Sequence, residues 1–399
     1  MVRAIPYGRQ DITDQDIAAV NEVLKSDYLT QGPAVDNFEA AFAEYTGARY
    51  AVAVSNGTAA LHLCAMALKV VPGQKVITTP ITFSASANAI EYCQGEVVFA
   101  DIDPQTYLID LQAVKALLAS EPKGTYHGLV LVDMTGRAVN LEAFRQLANE
   151  YGLWIIEDAC HAPGGFFENS QGEKELCGNG RYADVAIFSF HPVKHIASGE
   201  GGMITTNDEE IYEKLIRLRT HGITRDSSLF RNTSEFASGG QEVVRGNWPD
   251  WYMEMVDLGY NYRLSDIHAA LGLSQLQRAD DGLSRRRYLA TRYNEAFAGK
   301  SYVKRQSGKI EGHAYHLYIL ELEDRIGLYN HLRSLKIYAQ IHYIPVHLMP
   351  YYRQKGWSEG DLPIAEDYYR HCLSIPMYPT LKDEEQDFVI RSIDEYYSD

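Results

Sequence analysis

A lysine that closely follows an apolar segment is the first candidate for chemistry in this sequence. Residues 184–190 are predicted to form a buried strand, and Pro192 ends its hydrogen-bonding ladder, so Lys194 lies beyond the strand end. A lysine among partly buried aromatic residues can have a lowered pKa and act as an amine nucleophile. The glycine-rich residues 199–202 let the backbone approach a flat ligand closely. From this segment alone, an exposed loop lysine is the alternative.

Two adjacent carboxylates mark a second segment. Glu157 and Asp158 end a predicted strand over 153–158, and His161 follows a few residues later. This set of side chains can bind a metal ion or hold a cationic ring nitrogen. A metal ion needs more ligands at close spacing than the segment offers, so we expect no metal here. A solvated strand end without a ligand is the alternative.

A third segment has the residue types of a phosphate site. In residues 55–61 (SNGTAAL) a strand is predicted to end at Ser55, Gly57 permits a tight turn, and a helix begins near Thr58. Free amides at a helix N-terminus, the helix dipole and a threonine hydroxyl together make a cradle for phosphate. Ordinary helix capping uses the same residue types and is the alternative.

The three segments together match one cofactor. Pyridoxal 5′-phosphate requires a phosphate cradle, an acidic residue for its ring nitrogen and a lysine that bonds covalently to its aldehyde. The segments also occur in the order expected of the large domain of an aminotransferase. The sequence therefore predicts a pyridoxal phosphate site, with pyridoxamine 5′-phosphate as the aminated form of the cofactor.

The elements that must position these residues are short apolar segments that alternate with helical patterns. We predict strands over 50–55, 75–79, 96–101, 128–133, 153–158, 184–190 and 202–206. Several are continuously apolar, which is typical of strands covered on both faces, and helical patterns such as 57–70 and 140–151 lie between them. This alternation predicts a doubly wound α/β domain, in which ligands bind at the carboxyl ends of the strands.

The second half of the chain has a different pattern. Residues 222–250 are rich in Gly, Ser, Asn and Arg without periodicity, which indicates a long functional or mobile loop. Two helices follow, and strands and helices then alternate in an α+β pattern. The predicted helices cover 265–278, 282–298, 326–335 and 383–397, and the predicted strands cover 316–322 and 338–343. We interpret the last part of the chain as a smaller C-terminal domain.

Composition excludes several classes of function. The 399 residues carry a formal net charge of −16, which disfavours nucleic acid as a partner. No apolar run reaches the roughly 18 residues that a membrane span needs, and the first residues lack a signal-peptide pattern, so we expect a cytoplasmic protein without membrane contact. The five cysteines include no CxxC pair, which disfavours a disulfide framework and a zinc site.

Several motifs give the chain a resemblance to a known family over nearly its whole length. They are SNGTAAL (55–61), TPITFSASANAI (79–90), EDACHAPGG (157–165), SFHPVK (189–194) with GEGG (199–202), and GYNYRLSDIHAALGLSQL (259–276). The sequence resembles the DegT/DnrJ/StrS family of nucleotide-sugar aminotransferases. The resemblance implies the aspartate-aminotransferase-like fold (fold type I). A large domain of seven mostly parallel strands would then cover 1–260, with residues 1–33 near the substrate, and linking helices and a small α+β domain would cover 261–399.

The resemblance also implies roles for the residues around the cofactor ring. Lys194 would bond covalently to the cofactor and then move the proton between the substrate carbon and the cofactor carbon. Asp158 would keep the ring nitrogen protonated, so that the ring acts as an electron sink. Phe83 would stack on the ring. His161 stands where many members carry Gln, near the ring hydroxyl, and its imidazole can still donate a hydrogen bond.

The same resemblance assigns the phosphate-binding residues. Gly57, Thr58 and Ser189 would hold the phosphate within one subunit. Asn261 would reach this phosphate from the partner subunit, which makes the active site depend on a homodimer.

Segments near both ends resemble the PseC-type branch of the family, which acts in pseudaminic acid synthesis. These segments cover 5–10, 26–33 and 341–352. By this resemblance the substrate site is lined by Tyr7, Asp27, Tyr28, Leu29, Thr30, Tyr315, His316, Leu317 and Tyr318. For His342, Tyr343 and His347 a structural role in a proline-containing turn is an equal alternative, and we leave them outside the site.

The reaction implied for this branch uses L-glutamate as amino donor and aminates carbon 4 of a UDP-linked 4-keto-6-deoxy-N-acetylhexosamine. Amination of another keto nucleotide sugar, perosamine-type or at carbon 3, is an alternative. A family dehydratase is a second alternative, but those members carry His at the position of Lys194. A non-catalytic binding or sensor protein that has kept the cofactor site is a third.

Overall fold

The computed structural model describes residues 4–240 and 248–398. Its strands are β1 (Ile5–Pro6), β2 (Tyr50–Val54), β3 (Lys75–Thr78), β4 (Glu96–Phe99), β5 (Tyr126–Val132), β6 (Trp154–Asp158), β7 (Phe166–Glu168), β8 (Lys174–Leu176), β9 (Val185–Ser189), β10 (Gly202–Thr206), β11 (Ile223–Thr224), β12 (Glu254–Met255), β13 (Val303–Gln306), β14 (Tyr318–Leu322), β15 (Ile337–Tyr338) and β16 (Cys372–Ile375). Its helices are α1 (Asp14–Leu24), α2 (Pro33–Thr46), α3 (Gly57–Ala67), α4 (Ala85–Tyr92), α5 (Leu111–Ser120), α6 (Leu141–Tyr151), α7 (Glu209–Arg219), α8 (Ser234–Ala237), α9 (Asp266–Leu276), α10 (Ala279–Phe297), α11 (Arg325–Ser334), α12 (Pro350–Arg353), α13 (Pro363–His371) and α14 (Asp383–Tyr396).

A seven-stranded sheet in the order β2-β10-β9-β6-β5-β3-β4 forms the large domain. Strand β10 runs antiparallel to both of its neighbours, and the remaining pairs are parallel. These seven strands are the seven predicted from the sequence, with small differences at their ends. The predicted aspartate-aminotransferase-like α/β fold is confirmed.

Both faces of this sheet are buried, which explains its continuously apolar strands. On one face, Phe188 of β9 packs edge-on against Phe42 of α2, with ring centroids 4.8 Å apart. On the other face, Ile187 and Ile204 belong to the large apolar cluster that includes the residues of α3. The strand ends are therefore held firmly, and the residues that follow β2, β6 and β9 meet at one edge of the sheet.

A three-stranded antiparallel sheet in the order β13-β14-β16 forms the core of the second domain. Helix α9 belongs by packing to the large domain, because it contacts α1 and α2. Near the N-terminus, β1 pairs in parallel with β15 of the second domain. The described start of the chain therefore pairs with a strand of the smaller domain, and the predicted division of the chain at residue 260 stays a prediction.

The predicted strand over 338–343 is mostly wrong. Only β15, Ile337–Tyr338, pairs as a strand at this place. Two residues later the backbone of Gln340 exchanges hydrogen bonds of 3.0 and 2.7 Å with Ser374, in the other sheet. The imidazole of His342 then bonds to the Ser374 hydroxyl at 2.8 Å. The segment is split between two sheets and continues towards the large domain.

The described part of the predicted loop over 222–250 contains short elements. Strand β11 pairs with β12, and the Glu254 carboxylate accepts hydrogen bonds from the amides of Arg231 and Asn232 at 2.7 and 3.0 Å. Residues 241–247 of this prediction lie outside the described residues. Within the ranges that the structure covers, no helix is long and apolar enough to cross a membrane.

Candidate active site

A cavity of about 720 Å³ opens at the carboxyl edge of the seven-stranded sheet. The structure brings eight of the predicted site residues together in its lining. They are Tyr7, Gly57, Thr58, Phe83, Asp158, His161, Ser189 and Lys194. They come from separate parts of the chain, and all but Tyr7 lie at or beyond the carboxyl end of a strand of this sheet. Tyr7 follows β1, which pairs with β15.

Lys194 reaches the cavity from a turn after β9. Pro192 presets the backbone of this turn, which is closed by a 2.8 Å hydrogen bond from the Lys194 amide to the His191 carbonyl. Burial lowers the pKa of Lys194, although the negative charge of Asp158 opposes the shift. A larger share of this amine is therefore neutral than for an exposed lysine, which is the form that attacks a carbonyl.

Asp158 ends β6 with its carboxylate in the same cavity, and only 6% of the residue is exposed. The hydroxyl of Ser86, in the first turn of α4, donates to one carboxylate oxygen at 2.7 Å. The amide of Cys160 donates to the other at 3.2 Å. These donors orient the carboxylate and leave it free to accept from a protonated ring nitrogen.

The start of helix α3 forms the predicted phosphate cradle. Asn56 caps this helix, and its side chain accepts from the Ala59 amide at 2.8 Å. The amides of Gly57 and Thr58 precede that bond and have no carbonyl within the helix, so they are available to an anion. Ser189, at the end of β9, lies opposite: a β-carbon on Gly57 would be 3.1 Å from the β-carbon of Ser189.

This close approach gives the first testable prediction. Gly57→Ala is expected to raise the Kd for pyridoxamine phosphate about tenfold, because the added methyl group crowds Ser189 across the cradle. Fluorescence titration of cofactor-free protein measures this change. Gly282→Ala is the matched control, since its β-carbon would meet only Pro379 at an ordinary 3.5 Å. Equal affinity in both variants would contradict the cradle.

The residues around the cavity fit pyridoxal phosphate. Phe83 is 62% exposed, although it lies inside a concave site, so its ring is available to stack on a flat ligand. The amine of Lys194, whose pKa is lowered, the buried carboxylate of Asp158 and the phosphate cradle at Gly57 surround the same space. When bound, this cofactor supplies an electron sink that makes a carbon–hydrogen bond next to its nitrogen acidic.

His161 lies in the wall of the cavity and contacts groups that the sequence did not reveal. Its Nδ1 is 3.3 Å from the Thr135 amide nitrogen and its Nε2 is 3.2 Å from the Tyr343 hydroxyl. Its ring packs on His316, with centroids 4.3 Å apart. Burial, together with nearby Lys194, lowers the pKa of His161 far enough that the ring is neutral.

Glu157 lies next to Asp158 in sequence but on the opposite face of the sheet, where it accepts from the Gly178 amide at 3.0 Å. Asp133 and Cys177 lie beside it, and the three potential ligand atoms are within 4.8 Å of one another. Burial raises the pKa of both carboxyl groups, that of Asp133 to about 7. Burial thus favours the protonated form of both carboxyl groups.

Residues 315–318 of the second domain were predicted to contact substrate. In the structure they do not line the cavity. The hydroxyl of Tyr318 bonds to Asn294 at 2.6 Å, in the core of that domain, and the hydroxyl of Tyr315 bonds to the Gly308 carbonyl at 2.8 Å. Leu317 is buried in the apolar core, and the ring of His316 packs on that of His161. Their side chains are held by these internal contacts, and their contact with substrate stays a prediction.

Other predicted residues lie at the surface of this subunit. Asp27, Tyr28, Leu29 and Thr30 form an exposed segment between α1 and α2, and Thr30 pairs with Ser265. Asn261 is also exposed and pairs with Thr220 rather than lining the cavity. Their roles towards substrate and towards a partner subunit remain predictions.

Several residues of the cavity were missed by the sequence analysis. They are Asn56, Thr82, Ser86, Cys160, Tyr262, His342 and Tyr343. Asn56 could have been found from its position before the helix in SNGT, where a capping residue is expected. Ser86 lies in the first turn of α4, and its hydroxyl faces Asp158. Tyr343 and His342 were set aside as turn residues, whereas His347, from the same segment, is buried against Glu366 at 3.1 Å.

Comparisons with known proteins show the family to which this chain belongs. The model of the DegT/DnrJ/EryC1/StrS aminotransferase family matches residues 10–394. The chain belongs to this family. It is therefore an enzyme, a sugar aminotransferase that depends on pyridoxal phosphate.

Individual members of the family share the full length of this aminotransferase. The spore coat polysaccharide biosynthesis protein SpsC of Bacillus subtilis is 36% identical over 98% of this chain and 96% of its own. The GDP-perosamine synthase of Escherichia coli O157:H7 is 32% identical over 100% of both chains. The solved structure of Helicobacter pylori PseC, described as an aminotransferase involved in pseudaminic acid biosynthesis, has a TM-score of 0.86, with 28% identity over 99% of this chain and 100% of that one.

Proposed function

We propose that this enzyme transfers the amino group of L-glutamate to carbon 4 of a UDP-linked 4-keto-6-deoxy-N-acetylhexosamine, in the formation of pseudaminic acid. The observation that carries the transfer is the meeting of Lys194 and Asp158 in one cavity with the cradle at Gly57. The similarity to PseC over the whole chain supports the choice of sugar. The resemblance of segments 5–10, 26–33 and 341–352 to the PseC-type branch is the local part of this similarity.

The chain's own residues account for the proton transfers. Lys194, as the neutral amine, takes the α-proton of glutamate and later returns a proton to carbon 4 of the keto sugar. Asp158 would hold the protonated ring nitrogen of the bound cofactor, which would supply the electron sink for the reacting carbon. Both half-reactions use the same two residues, so donor and acceptor must enter the cavity in turn.

Aromatic side chains support a sugar as the acceptor. Tyr7 and Tyr262 line the cavity, and tyrosine offers a flat apolar face and a hydroxyl to a sugar ring. Tyr7 is held beside His342, with ring centroids 5.1 Å apart. We infer that the sugar lies between these rings and that the exposed segment 27–30 contacts the rest of the substrate.

We also infer a homodimer in which Asn261 of one protomer reaches the phosphate cradle of its partner. The exposure of Asn261, outside the cavity of its own chain, is compatible with this role. A mixture of two inactive variants, Lys194→Ala and Asn261→Ala, is expected to recover part of the activity, because mixed dimers would contain one intact site.

The closest alternative within the class is amination of a GDP-linked sugar, which the similarity to GDP-perosamine synthase favours. A panel of UDP- and GDP-linked 4-keto-6-deoxy sugars and a 3-keto sugar, each with L-glutamate, separates these possibilities. The readouts are release of 2-oxoglutarate and detection of the amino sugar by mass spectrometry. We expect kcat/KM for the UDP-linked N-acetylated sugar to exceed the others by at least about 100-fold.

The other outcomes identify the alternatives. A preference for the GDP sugar would replace the pseudaminic acid assignment by a perosamine-type one. Loss of a sugar hydroxyl without net amino transfer would indicate a dehydratase. A cofactor absorbance band that does not respond to L-glutamate would mean that the donor is a different amino compound.

A further inference from the structure

A chain of hydrogen bonds connects the second domain to the wall of the cavity. The Tyr315 amide donates to Nδ1 of His313 at 2.8 Å, and Nε2 of His313 lies 3.3 Å from the hydroxyl of Thr135. The Thr135 amide donates to Nδ1 of His161 at 3.3 Å, and Nε2 of His161 lies 3.2 Å from the hydroxyl of Tyr343. Tyr343 is the last member, and it lines the cavity.

The backbone amides in this series of hydrogen bonds determine which atom donates and which accepts in each bond. An amide nitrogen can only donate, so Nδ1 must accept in both His313 and His161. In a neutral imidazole the proton then lies on Nε2. His313 therefore donates to Thr135, and His161 donates to the oxygen of Tyr343.

Both rings stay neutral, which preserves this direction. Burial lowers the pKa of His313 to about 3, and burial also lowers the pKa of His161 well below its usual range. Burial raises the pKa of Tyr343, so its hydroxyl keeps its proton. Since the Tyr343 oxygen already accepts from His161, its own proton is available to an acceptor in the cavity.

Thr135 has an unusual backbone conformation that supports a specific role for its amide. Its φ is 66°, a left-handed value that is rare and strained for a β-branched residue. Its backbone carbonyl also accepts from the Leu317 amide at 3.2 Å, which ties it to the second domain. The residue is thus held from both sides in a position where its amide meets His161.

The contacts change the expected role of His161. Both of its nitrogens are used, one by Thr135 and the other by Tyr343. It has no donor left for the ring hydroxyl of the cofactor, which the family resemblance assigned to it. The hydroxyl of Tyr343 is the donor that this arrangement presents to the cavity.

We propose that Tyr343 donates its proton in a hydrogen bond to the ring oxygen of pyridoxal phosphate, and that His161 and Thr135 are positioning residues that aim it. On the cofactor ring, this oxygen and the phosphate arm lie on opposite sides of the line from the ring nitrogen to the carbon that bonds with lysine. Asp158, Lys194, Gly57 and Tyr343 all line one cavity. A cofactor held by Asp158, Lys194 and the cradle at Gly57 would therefore present its ring oxygen on the side away from Gly57. The inference rests on the cofactor of the proposed function.

The charged and titratable groups near Tyr343 come from several elements. They are Tyr7, Asp158, Cys160, His161 and His342, with Lys194 beyond them. Asp158 and Lys194 would bind the cofactor themselves, and the histidines have no charge. A hydrogen bond from Tyr343 is therefore separable from a general change in the charge of the site.

The test is the pH titration of the visible cofactor band in purified holoenzyme. This band reports the proton on the nitrogen that joins Lys194 to the cofactor. A donor to the ring oxygen weakens the attraction of that oxygen for this proton, so the wild-type pKa is lowered. Tyr343→Phe is expected to raise it by about 1–2 pH units, the value of one hydrogen bond to a charged group.

Two further variants and a control make the test decisive. His161→Gln can accept from Thr135 and donate to Tyr343 in the same direction, so the wild-type pKa is expected; His161→Leu should raise the pKa by a smaller amount than Tyr343→Phe. Tyr262→Phe removes a cavity hydroxyl that bonds to His62 at 3.2 Å, and it should cause no shift.

The contrary outcomes are distinct. A shift in His161→Leu without a shift in Tyr343→Phe would show that His161 acts directly on the cofactor and would overturn the relay. Equal shifts in Tyr343→Phe and Tyr262→Phe would show a general effect of lost hydroxyl groups and would also overturn it. Absence of any cofactor band in the wild type would instead overturn the cofactor assignment.

Discussion

Replacement of Lys194 by alanine is expected to lower turnover by at least about 10⁴-fold. The variant loses both the covalent bond to the cofactor and the base that moves the proton, and acid–base catalysis alone contributes about 10²–10⁴-fold. The contacts of Asp158, Phe83 and the cradle remain, so cofactor is expected to bind without a covalent bond. Steady-state release of 2-oxoglutarate and equilibrium dialysis with pyridoxal phosphate measure the two effects separately.

Lys214→Ala is the matched control for this variant. Lys214 is another partly buried lysine whose pKa burial lowers, but its amine donates to the carbonyls of Met66 and Ala67, at the far end of helix α3. Its loss should change turnover by less than about threefold, with a small decrease in Tm. Substantial turnover in Lys194→Ala, with normal turnover in Lys214→Ala, would rule out Lys194 as the catalytic amine.

The lowered pKa of Lys194 also predicts a pH dependence. Only the neutral amine captures an aldehyde, so the capture rate in cofactor-free enzyme should rise about tenfold per pH unit below the pKa and then level off. Burial lowers this pKa, so the plateau should begin at a lower pH than for an ordinary lysine, whose pKa is about 10.4. Stopped-flow absorbance with pyridoxal phosphate, compared with Nα-acetyl-lysine amide, measures the difference.

Sequence analysis located most of this site because buried parallel strands have a simple pattern. Their apolar runs stand out, and ligands bind where such runs end. Asp158, Ser189 and Lys194 each stand at or just after such an end, and Gly57 follows one. These residues meet in one cavity because the carboxyl ends of neighbouring strands share an edge of the sheet.

The parts that the sequence did not reveal depend on long-range pairing. Residues 338–343 alternate in a way that is compatible with one strand, but β1 and Ser374 each pair with a different part of the segment. The direction that the split gives to Tyr343 has no local signal. Likewise, a tyrosine has the same sequence signal whether its hydroxyl faces substrate or, as in Tyr318, an internal asparagine.

Ser86 shows a different limit. A serine in the first turn of a helix is common, and nothing near it in sequence predicts that it donates to Asp158. That contact arises only because α4 follows β3, and β3 is separated from β6 by a single strand in the sheet. The structure is therefore needed to identify Ser86 as the donor to Asp158. A Ser86 variant can then be compared with a variant of Asp158 itself.

Asp158→Asn is expected to lower kcat by about 10³-fold, because the amide cannot stabilise a protonated ring nitrogen. A charge pair about 4 Å apart near a protein surface contributes about 4 kcal/mol, which corresponds to roughly three orders of magnitude in rate. Ser86→Ala leaves the charge but removes one of its donors, so a smaller loss of about tenfold is expected. Single-turnover kinetics with L-glutamate measure both losses in the chemical step.

Glu157→Gln is the matched control, since it removes the adjacent carboxyl group on the opposite face of the sheet. Burial raises the pKa of Glu157, so the wild-type group resembles the neutral amide and the substitution should change kcat by less than about threefold. We therefore expect kcat to decrease in the order wild type, Glu157→Gln, Ser86→Ala, Asp158→Asn. This order follows only if the charge of Asp158 in the cavity determines kcat. If Glu157→Gln were as slow as Asp158→Asn, the effect would come from the buried acidic pair or from the strand itself, and Asp158 would lose its assigned role.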